Sequence, residues 1–283
     1  GLWIGFARMV ISTPDAGNAC TELMVVQEVF NAGSGVVADH SSGDALLVQV
    51  PQQLSCTVNQ RAWGGVDQAG LVKALVPIDR PFLDYVLTTA ADAGFRRVCL
   101  VIGPDHDELR RYYGEVVDAQ RLQFEFVVQA EPLGTADAVA TARRFAYGDP
   151  FLTINADNHY PLDALQALRA LSGPGLPGFD RTALVAMSNI PEQRIERFAI
   201  VEVDADGSLQ RVVEKPSQQF IDSLGDDVGV SMNCWRFDER IFAACEAIEP
   251  SERGELEITS AVQYSIDHLD TRFEVIPIRG PVL

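Results

Sequence analysis

The sequence has few basic residues relative to acidic ones. It contains 22 lysines and arginines and 40 aspartates and glutamates, which gives a net charge of -18. A field of this sign repels nucleic-acid backbones and anionic lipid surfaces, so we expect neither as a partner. No apolar run reaches the roughly 18 residues that a membrane helix needs. We therefore expect a cytoplasmic protein in which local cations or a metal ion must attract any anionic substrate.

Cysteines are also few, and they form no recognisable pattern. The five cysteines are widely spaced, with no C-x-x-C pair and no histidine at zinc-finger spacing. This favours reduced, mostly buried thiols over a disulfide framework or a zinc site. The sequence contains no internal repeat, and it leaves open whether the protein is a homo-oligomer.

The first sixty residues are poor in charge, with only six charged side chains, and their periodicity is weak. They contain two short apolar runs typical of strands, at residues 22–26 and 45–50. We expect a single domain over residues 1–283 in which residues 1–70 form a divergent N-terminal segment.

From about residue 71, short apolar runs alternate with longer amphipathic ones, as in β-α-β units. The pattern predicts strands at residues 97–102, 124–129 and 150–154, with helices between them. We therefore expect an α/β fold: a Rossmann-like mixed, mostly parallel sheet with helices on both faces. Ligands of such sheets bind at the carboxyl ends of the strands.

The second half has a different texture. A Gly-Pro-rich stretch at residues 173–178 predicts a loop, and residues 183–187 predict a strand after it. Two further strands are predicted on either side of a turn at residues 204–207. Residues 228–237 read as one strand, which would put Asn233 inside an apolar run, where its amide needs hydrogen-bond partners. These strands predict antiparallel additions to the parallel sheet.

Asp157 follows a predicted buried strand, within residues 153–160 (TINADNHY). A carboxylate at this place points into the ligand crevice and can hold Mg²⁺ against a substrate phosphate. The alternative for Asp157 is a solvated loop acid that caps the next helix.

Residues 129–138 (QAEPLGTADA) join a predicted strand to a small-residue helix. Gly134 permits close approach to a flat ligand, and the helix start at Thr135 offers N–H groups to anions. Gln129 has the donor and acceptor needed to read a base edge. The alternative is an ordinary tight turn between strand and helix.

Two lysines are further candidates. Lys73 is flanked by apolar residues and can act as a phosphate point charge, unless it is an ordinary surface lysine. Residues 214–216 (EKP) end a predicted strand, where Glu214 and Lys215 can hold a sugar hydroxyl and a phosphate. The alternative for this pair is an exposed ion pair at a strand end.

Together and in this order, these segments resemble the sugar-phosphate nucleotidylyltransferases, which include glucose-1-phosphate thymidylyltransferases and uridylyltransferases. The resemblance covers roughly residues 70–283. The matching segments are residues 72–75 (Pro-Lys-x-Leu in the family), 129–138 (base reading), 154–157 (metal-binding Asp), 214–216 (Glu-Lys-Pro) and 255–259 (Glu-Leu-x-x-Thr).

The resemblance implies transfer of a nucleotidyl group from a nucleoside triphosphate to a sugar 1-phosphate, with Mg²⁺ as cofactor. It implies that Asp157 holds the metal and that Lys73 contacts nucleotide phosphate. It assigns nucleotide binding to Gln129, Pro132, Gly134 and Thr135, and sugar-phosphate binding to Glu214, Lys215 and Asn233.

The chain departs from the family pattern at Val72, where the family has proline, and at two further places. The family opens with a strand and a glycine-rich loop ending in Thr-Arg. The nearest candidate is residues 31–37 (NAGSGVV), where Gly33 and Gly35 would bind nucleotide; residues 15–22 match less well, and neither segment has the arginine. The family's second metal-binding acid follows a strand like residues 273–278, and residues 279–283 contain no acid.

These departures keep a second hypothesis open: a catalytically impaired nucleotide-sugar binding or regulatory module of the same fold. A glycosyltransferase of related fold is disfavoured, because no Asp-x-Asp motif ends a predicted strand. The Asp204-Ala-Asp206 segment lies in a predicted hairpin turn instead.

Overall fold

The computed structural model describes residues 45–49, 80–188, 190–214, 216–224 and 229–283. The strands are β1 Ala45–Gln49, β2 Arg97–Ile102, β3 Gln123–Val128, β4 Phe151–Asn155, β5 Gly175–Asp180, β6 Ala199–Val203, β7 Leu209–Val213, β8 Gly229–Ser231, β9 Trp235–Phe237 and β10 Glu274–Ile278. The α-helices are α1 Phe82–Asp92, α2 Asp107–Arg111, α3 Thr135–Thr141, α4 Arg143–Ala146, α5 Leu162–Ala170, α6 Arg181–Met187, α7 Gln218–Ser223, α8 Arg240–Ala247 and α9 Ile258–His268. A π-helical turn follows α2 at Tyr112–Val116, and a 3-10 helix spans Glu192–Arg197.

One half of the sheet is parallel, in the order β3-β2-β1-β4. The predicted strand at residues 45–50 is therefore confirmed as β1, and it lies between β2 and β4. The carboxyl ends of these four strands meet at one edge of the sheet. Gln129 follows β3 and Asp157 follows β4, so both predicted site residues lie at that edge.

The other half continues from β4 as β9-β5-β8-β6-β7, with antiparallel pairing, while β10 pairs with β5 in parallel. The predicted hairpin turn joins β6 to β7. In it, Asp204 Oδ1 accepts from the backbone N–H groups of Asp206 and Ser208, both at 2.9 Å. The mixed α/β sheet that the sequence predicts is confirmed, and Asp204 and Asp206 lie in the hairpin turn between β6 and β7.

Both faces of the parallel half are buried, as the near-continuous apolar strands predict. In β1, Leu46 and Val48 face a core that includes α1 and α5. Leu47 faces the opposite core, formed with α3, α8 and α9. Because helices cover both faces, ligands can reach this half of the sheet at the ends of its strands rather than on its faces.

The loop predicted at residues 173–178 is wrong, because most of it forms β5. Its glycines serve close packing between strands rather than turning. A Cβ on Gly175 would lie 2.6 Å from the carbonyl oxygen of Glu274, and one on Gly178 would lie 2.8 Å from Val275 Cγ1, so β10 requires glycine at both positions.

The strand predicted at residues 183–187 is also wrong, since these residues lie in α6. Asp180 is the N-cap of this helix, and its carboxylate accepts from the backbone N–H of Ala183 at 2.7 Å. The alanines, leucine and methionine that follow are good helix formers, so a strong cap at the start decides in favour of a helix.

The single strand predicted at residues 228–237 is two strands, β8 and β9. Asn233 lies between them with φ of 55°, in the left-handed region that asparagine tolerates better than most residues. The turn moves the chain from pairing with β6 to pairing with β4. Asn233 is therefore a turn residue, not part of an apolar strand.

Candidate functional site

The acid at the end of β4 lies in a short turn. Ala156 is buried, and Asp157 follows it, partly buried at the carboxyl edge of the sheet. The turn closes with a 3.4 Å hydrogen bond from the backbone N–H of Asn158 to Asn155 O. Phe151 to Ile154 are buried in the sheet, so the strand fixes the position from which Asp157 projects.

Tyr160 joins this turn to the turn at Asn233. Its side chain is buried, and its hydroxyl donates to Met232 O at 2.7 Å. The amide of Asn158 donates to Tyr160 Oη at 3.1 Å and to Met232 O at 3.3 Å. The carbonyl oxygen of Asn233 lies 3.3 Å from the same hydroxyl. The structure therefore brings together Asp157 and Asn233, two of the predicted site residues.

Burial raises the pKa of Tyr160 well above its ordinary value. The phenol is therefore un-ionised at neutral and moderately alkaline pH, so its hydroxyl can donate a hydrogen bond but does not act as a phenolate base. Its role is to hold the two turns together.

Replacing Tyr160 by phenylalanine keeps the ring and removes only this donor. We expect a loss of about 1–2 kcal/mol in the free energy of unfolding, because Met232 O loses its closest partner in a buried setting. Urea denaturation measures the change. Tyr85, whose ring lies under Arg80 and whose hydroxyl makes no comparable buried bond among the described residues, gives the matched Tyr→Phe control. Equal changes in the two variants would contradict a bridging role for Tyr160.

The last residues of the chain run beside the same turn. His159 and Leu283 exchange two backbone hydrogen bonds, of 2.7 and 3.1 Å, and the His159 ring nitrogen Nε2 lies 2.9 Å from Thr89 Oγ1. Residues that follow β10 thus return to the Asp157 turn. This is the region in which the resemblance implies a second metal-binding acid.

Gln129 follows β3 and is buried. Its amide nitrogen donates to Gly134 O at 3.0 Å and to Asp137 Oδ2 at 2.8 Å. These bonds brace the loop that leads into α3. The amide nitrogen is thus engaged inside the protein, and a base contact through it would require exchange of one of these bonds.

Gly134 and Thr135 contact a second predicted segment, residues 255–259. Leu256 donates its N–H to Leu133 O at 2.7 Å and accepts from the N–H of Ala136 at 2.9 Å. The Thr135 hydroxyl accepts from the N–H of Ile258, at the start of α9, at 2.9 Å. Residues 129–138 and 255–259, for which the sequence gives only their order along the chain, are therefore in direct contact.

The close approach predicted at Gly134 is present, but its partner is the protein itself. Gly134 has φ of 118°, and a Cβ there would lie 2.4 Å from the carbonyl oxygen of Leu256. Only glycine meets both requirements. Pro132 lies two residues earlier and is exposed in the loop.

Glu214 directly follows β7, is exposed, and lies near a cation that the sequence did not single out. Arg253 Nη2 lies 2.6 Å from Glu257 Oε1 and 3.8 Å from Glu255 Oε2. The hydrogen bond to Glu257, and then the charges of Glu255 and Glu214, raise the pKa of Arg253. The signal in the sequence was its position immediately before Gly254 and the Glu-Leu-x-x-Thr segment.

The other predicted residues, Lys73, Lys215, Gly33 and Gly35, lie outside the described residues. In chain order both glycines precede β1. A loop that leaves the carboxyl end of β1, as the resemblance requires, starts at residue 50, which is also outside the described residues.

The cysteines that the structure describes do not support thiolate chemistry. Cys99, Cys234 and Cys245 are buried. Burial raises the pKa of Cys99 and of Cys245 to about 12, and it raises that of Cys234 as well. Thiols with such pKa values are poor nucleophiles at neutral pH.

Residues 69–279 match the model of a family described as nucleotidyl transferase. The chain belongs to the nucleotidyl transferase family. Among curated proteins, this chain is 33% identical over 201 residues to a glucose-1-phosphate thymidylyltransferase from Streptomyces griseus. The match covers 69% of this chain and 51% of the relative. The chain is 28% identical over 203 residues to the low-salt glycan biosynthesis nucleotidyltransferase Agl11 of Haloferax volcanii, covering 69% and 53%. The chain thus spans about half the length of these relatives.

The fold of this family member is similar to that of a UDP-glucose pyrophosphorylase solved in complex with UDP-glucose. The TM-score is 0.64 over 84% of this chain and 91% of the other, at 16% sequence identity. At this identity the likeness concerns the fold alone. Within the described residues, no helix has both the length and the apolar character needed to cross a membrane.

Proposed function

We propose that this chain transfers a nucleotidyl group from a nucleoside triphosphate to a sugar 1-phosphate, giving a nucleotide sugar and pyrophosphate. The observation that carries the proposal is the braced turn of Asp157 at the carboxyl edge of β4, joined through Tyr160 to the Asn233 turn. This is the edge at which α/β sheets bind ligands, and family membership gives the reaction class.

The chemistry needs no protein nucleophile. A phosphate oxygen of the sugar 1-phosphate forms a bond to the α-phosphorus, and the bond from that phosphorus to the bridging oxygen of the β-phosphate breaks. Pyrophosphate leaves with the bonding electrons. The protein aligns the two substrates and neutralises charge, which is where most of the rate enhancement of phosphoryl-group chemistry comes from.

The donor chemistry of the Asp157 turn fits Mg²⁺. This ion prefers oxygen ligands and is commonly held by one or two carboxylates together with substrate phosphates and water. Within the described part of the chain, no group of three or more histidine, cysteine or acidic side chains could form a complete protein cage. Asp157 would therefore hold the ion together with the substrate. When bound, Mg²⁺ supplies positive charge beside the reacting phosphates.

Few cations are available to meet the phosphates in a chain of net charge -18. Its only two lysines are Lys73 and Lys215, both in segments that resemble the family motifs. We propose Lys73 for the nucleotide phosphate, and Lys215 with Glu214 for the sugar phosphate and a hydroxyl. Arg253, beside Glu214, adds a cation at the same end of β7. Gln129, Gly134 and Thr135 would shape the nucleotide side of the crevice. A nucleoside triphosphate substrate fits a cytoplasmic location.

The test is pyrophosphate release from a panel of nucleoside triphosphates and hexose 1-phosphates, with Mg²⁺ and with EDTA. We expect turnover that needs both substrates and the metal. Calorimetric titration of nucleotide sugars onto the same protein is the second measurement. Saturable binding without turnover of any pair would reject the enzyme in favour of a non-catalytic binding module.

A further inference from the structure

β7 is the strand that leads into Glu214, and it lies at the edge of the sheet. It pairs with β6 on one side. On the other side Leu209, at its start, donates its N–H to Phe273 O at 2.9 Å. Beyond Leu209, no strand in the part of the chain that the structure describes continues the pairing on that side. A strand end that is paired on one side only frays easily, and its outer backbone groups are exposed to other chains.

A side chain of α9 bonds to this outer side of β7. Gln263 Oε1 accepts from the N–H of Val212 at 3.3 Å, and its Nε2 donates to the carbonyl oxygen of Gln210 at 3.4 Å. One amide thus bonds to alternate residues of the strand, as a peptide group of a neighbouring strand would. Nε2 also donates to Asp267 Oδ1 at 3.1 Å, one helical turn further on, which orients the amide. Gln263 therefore holds the part of β7 that is closest to Glu214.

The same helix is tied to the nucleotide side of the crevice. Its first residue, Ile258, donates its N–H to Thr135 Oγ1 at 2.9 Å. Its buried face, which includes Val262, packs in the core with α3 and α8. These contacts hold the helix whether or not Gln263 bonds to β7, so the effect of the amide falls on the strand. One rigid helix therefore contacts residues 129–138 at its start and β7 along its length.

The two bonds to β7 are long, one partly buried and the other exposed, so we expect them to contribute little to the stability of the whole fold. Their effect on the site is larger. Val212 is two residues before Glu214, which is about 7 Å of chain at the rise of a strand. Substrate alignment responds steeply to placement, since a shift of about 1 Å can lower the rate about 100-fold. Loss of the amide should therefore change substrate binding before it changes unfolding.

We propose that Gln263 is a positioning residue for the sugar 1-phosphate, acting through β7 rather than by contact with the substrate. Its amide holds the end of β7, and with it Glu214, in a fixed place relative to the nucleotide loop at the start of α9. In the proposed function, on which this inference rests, Glu214 and Lys215 hold the phosphate and a hydroxyl of the sugar. α9 would then help to align the two substrates, which is the main task of the protein in this chemistry.

The experiment is steady-state kinetics of Gln263→Met with the hexose 1-phosphate and the nucleoside triphosphate that the wild-type protein uses best. Methionine keeps the length and helix preference of glutamine but makes neither bond to β7. We expect the KM for the sugar 1-phosphate to rise about tenfold, while the KM for the triphosphate stays within about twofold and the unfolding midpoint is unchanged. Gln166→Met, at an exposed glutamine of α5, is the matched control and should leave all three at their wild-type values.

A second variant keeps the test decisive if Gln263→Met does not fold. Gln263→Asn keeps the amide but is one methylene shorter, so it loses contacts that are already 3.3 and 3.4 Å long, and it should give the same pattern of KM values. Unchanged KM values, or an equal rise in both of them, would overturn the proposal whatever happens to the unfolding midpoint.

A wild-type protein without turnover would reject the proposed function, and a binding measurement would then test Gln263 separately. Glucose 1-phosphate is titrated by calorimetry onto the wild-type protein and onto Gln263→Met. Weaker binding to the variant supports the positioning role. Equal binding to the two proteins, or no binding to the wild type, rejects it.

Discussion

Replacing Asp157 by asparagine is expected to lower kcat for pyrophosphate release by about 1,000-fold while the protein stays folded. The substitution keeps the size of the side chain and removes its charge. The carboxylate is the group through which this turn would hold Mg²⁺ against the substrate phosphates, and an amide is a much weaker ligand for a hard cation. Side-chain bonds of Asn158 and Tyr160 to Met232 hold the turn in place, so the effect should fall on catalysis rather than folding.

The matched control is Asp105→Asn. Asp105 is an exposed acid that follows β2 at the same edge of the sheet, so this variant makes the same charge change close to the same crevice. We expect less than a threefold change in kcat for it, and unchanged unfolding midpoints in both variants. A similar small loss in the two variants would mean that Asp157 acts only through the general field. Retention of activity in Asp157→Asn with Mg²⁺ still required would assign the metal to other residues.

The sequence predicted the parallel half of the fold well, because its signals are local. Residues 97–102 and 150–154 are nearly continuous apolar runs bounded by polar residues, which is typical of strands covered on both faces. They form β2 and β4, in which almost every residue is buried. The position of Asp157 at the carboxyl edge follows from strand direction alone, and so it could be predicted without knowledge of any contact.

The errors arose where a distant contact overrides a local preference. Glycines at 175 and 178 are typical of a loop, yet they lie in β5 because β10, far along the chain, packs against them. Residues 183–187 could form either a helix or a strand, and the cap supplied by Asp180 selects the helix. The turn at Asn233 depends on β4 and β6 being available as different partners. No window of the sequence contains that information.

The same limit applied to the candidate site. Order along the chain suggested that residues 129–138 and 255–259 belong to one site, but not that they touch. Their junction consists mainly of backbone hydrogen bonds through Leu256, which leave no signature in side-chain chemistry. Arg253 was missed for a related reason, since its relation to Glu214 exists only after β7 and the segment before α9 come together.

This junction gives the largest stability effect that we expect. Gly134→Ala should lower the free energy of unfolding by about 3 kcal/mol or more, because two costs add. An L-residue at φ of 118° is strained, and the new Cβ would lie 2.4 Å from Leu256 O and 2.7 Å from Leu256 N, both of which are backbone atoms. Backbone atoms cannot rotate away, so residues 129–138 must separate from Leu256. Urea denaturation followed by circular dichroism measures the loss.

Gly207→Ala separates the two costs. Gly207 also has a positive φ, of 78°, but a Cβ there would meet nothing within 4 Å. It should therefore lose only the conformational term, about 1 kcal/mol. The difference between the two variants measures the contact with Leu256 itself. If Gly134→Ala costs no more than Gly207→Ala, the two segments are not packed together. If the difference is large and nucleoside triphosphate binding falls with it, the junction shapes the nucleotide side of the crevice, and glycine is required at position 134 by the protein's own backbone before any ligand binds.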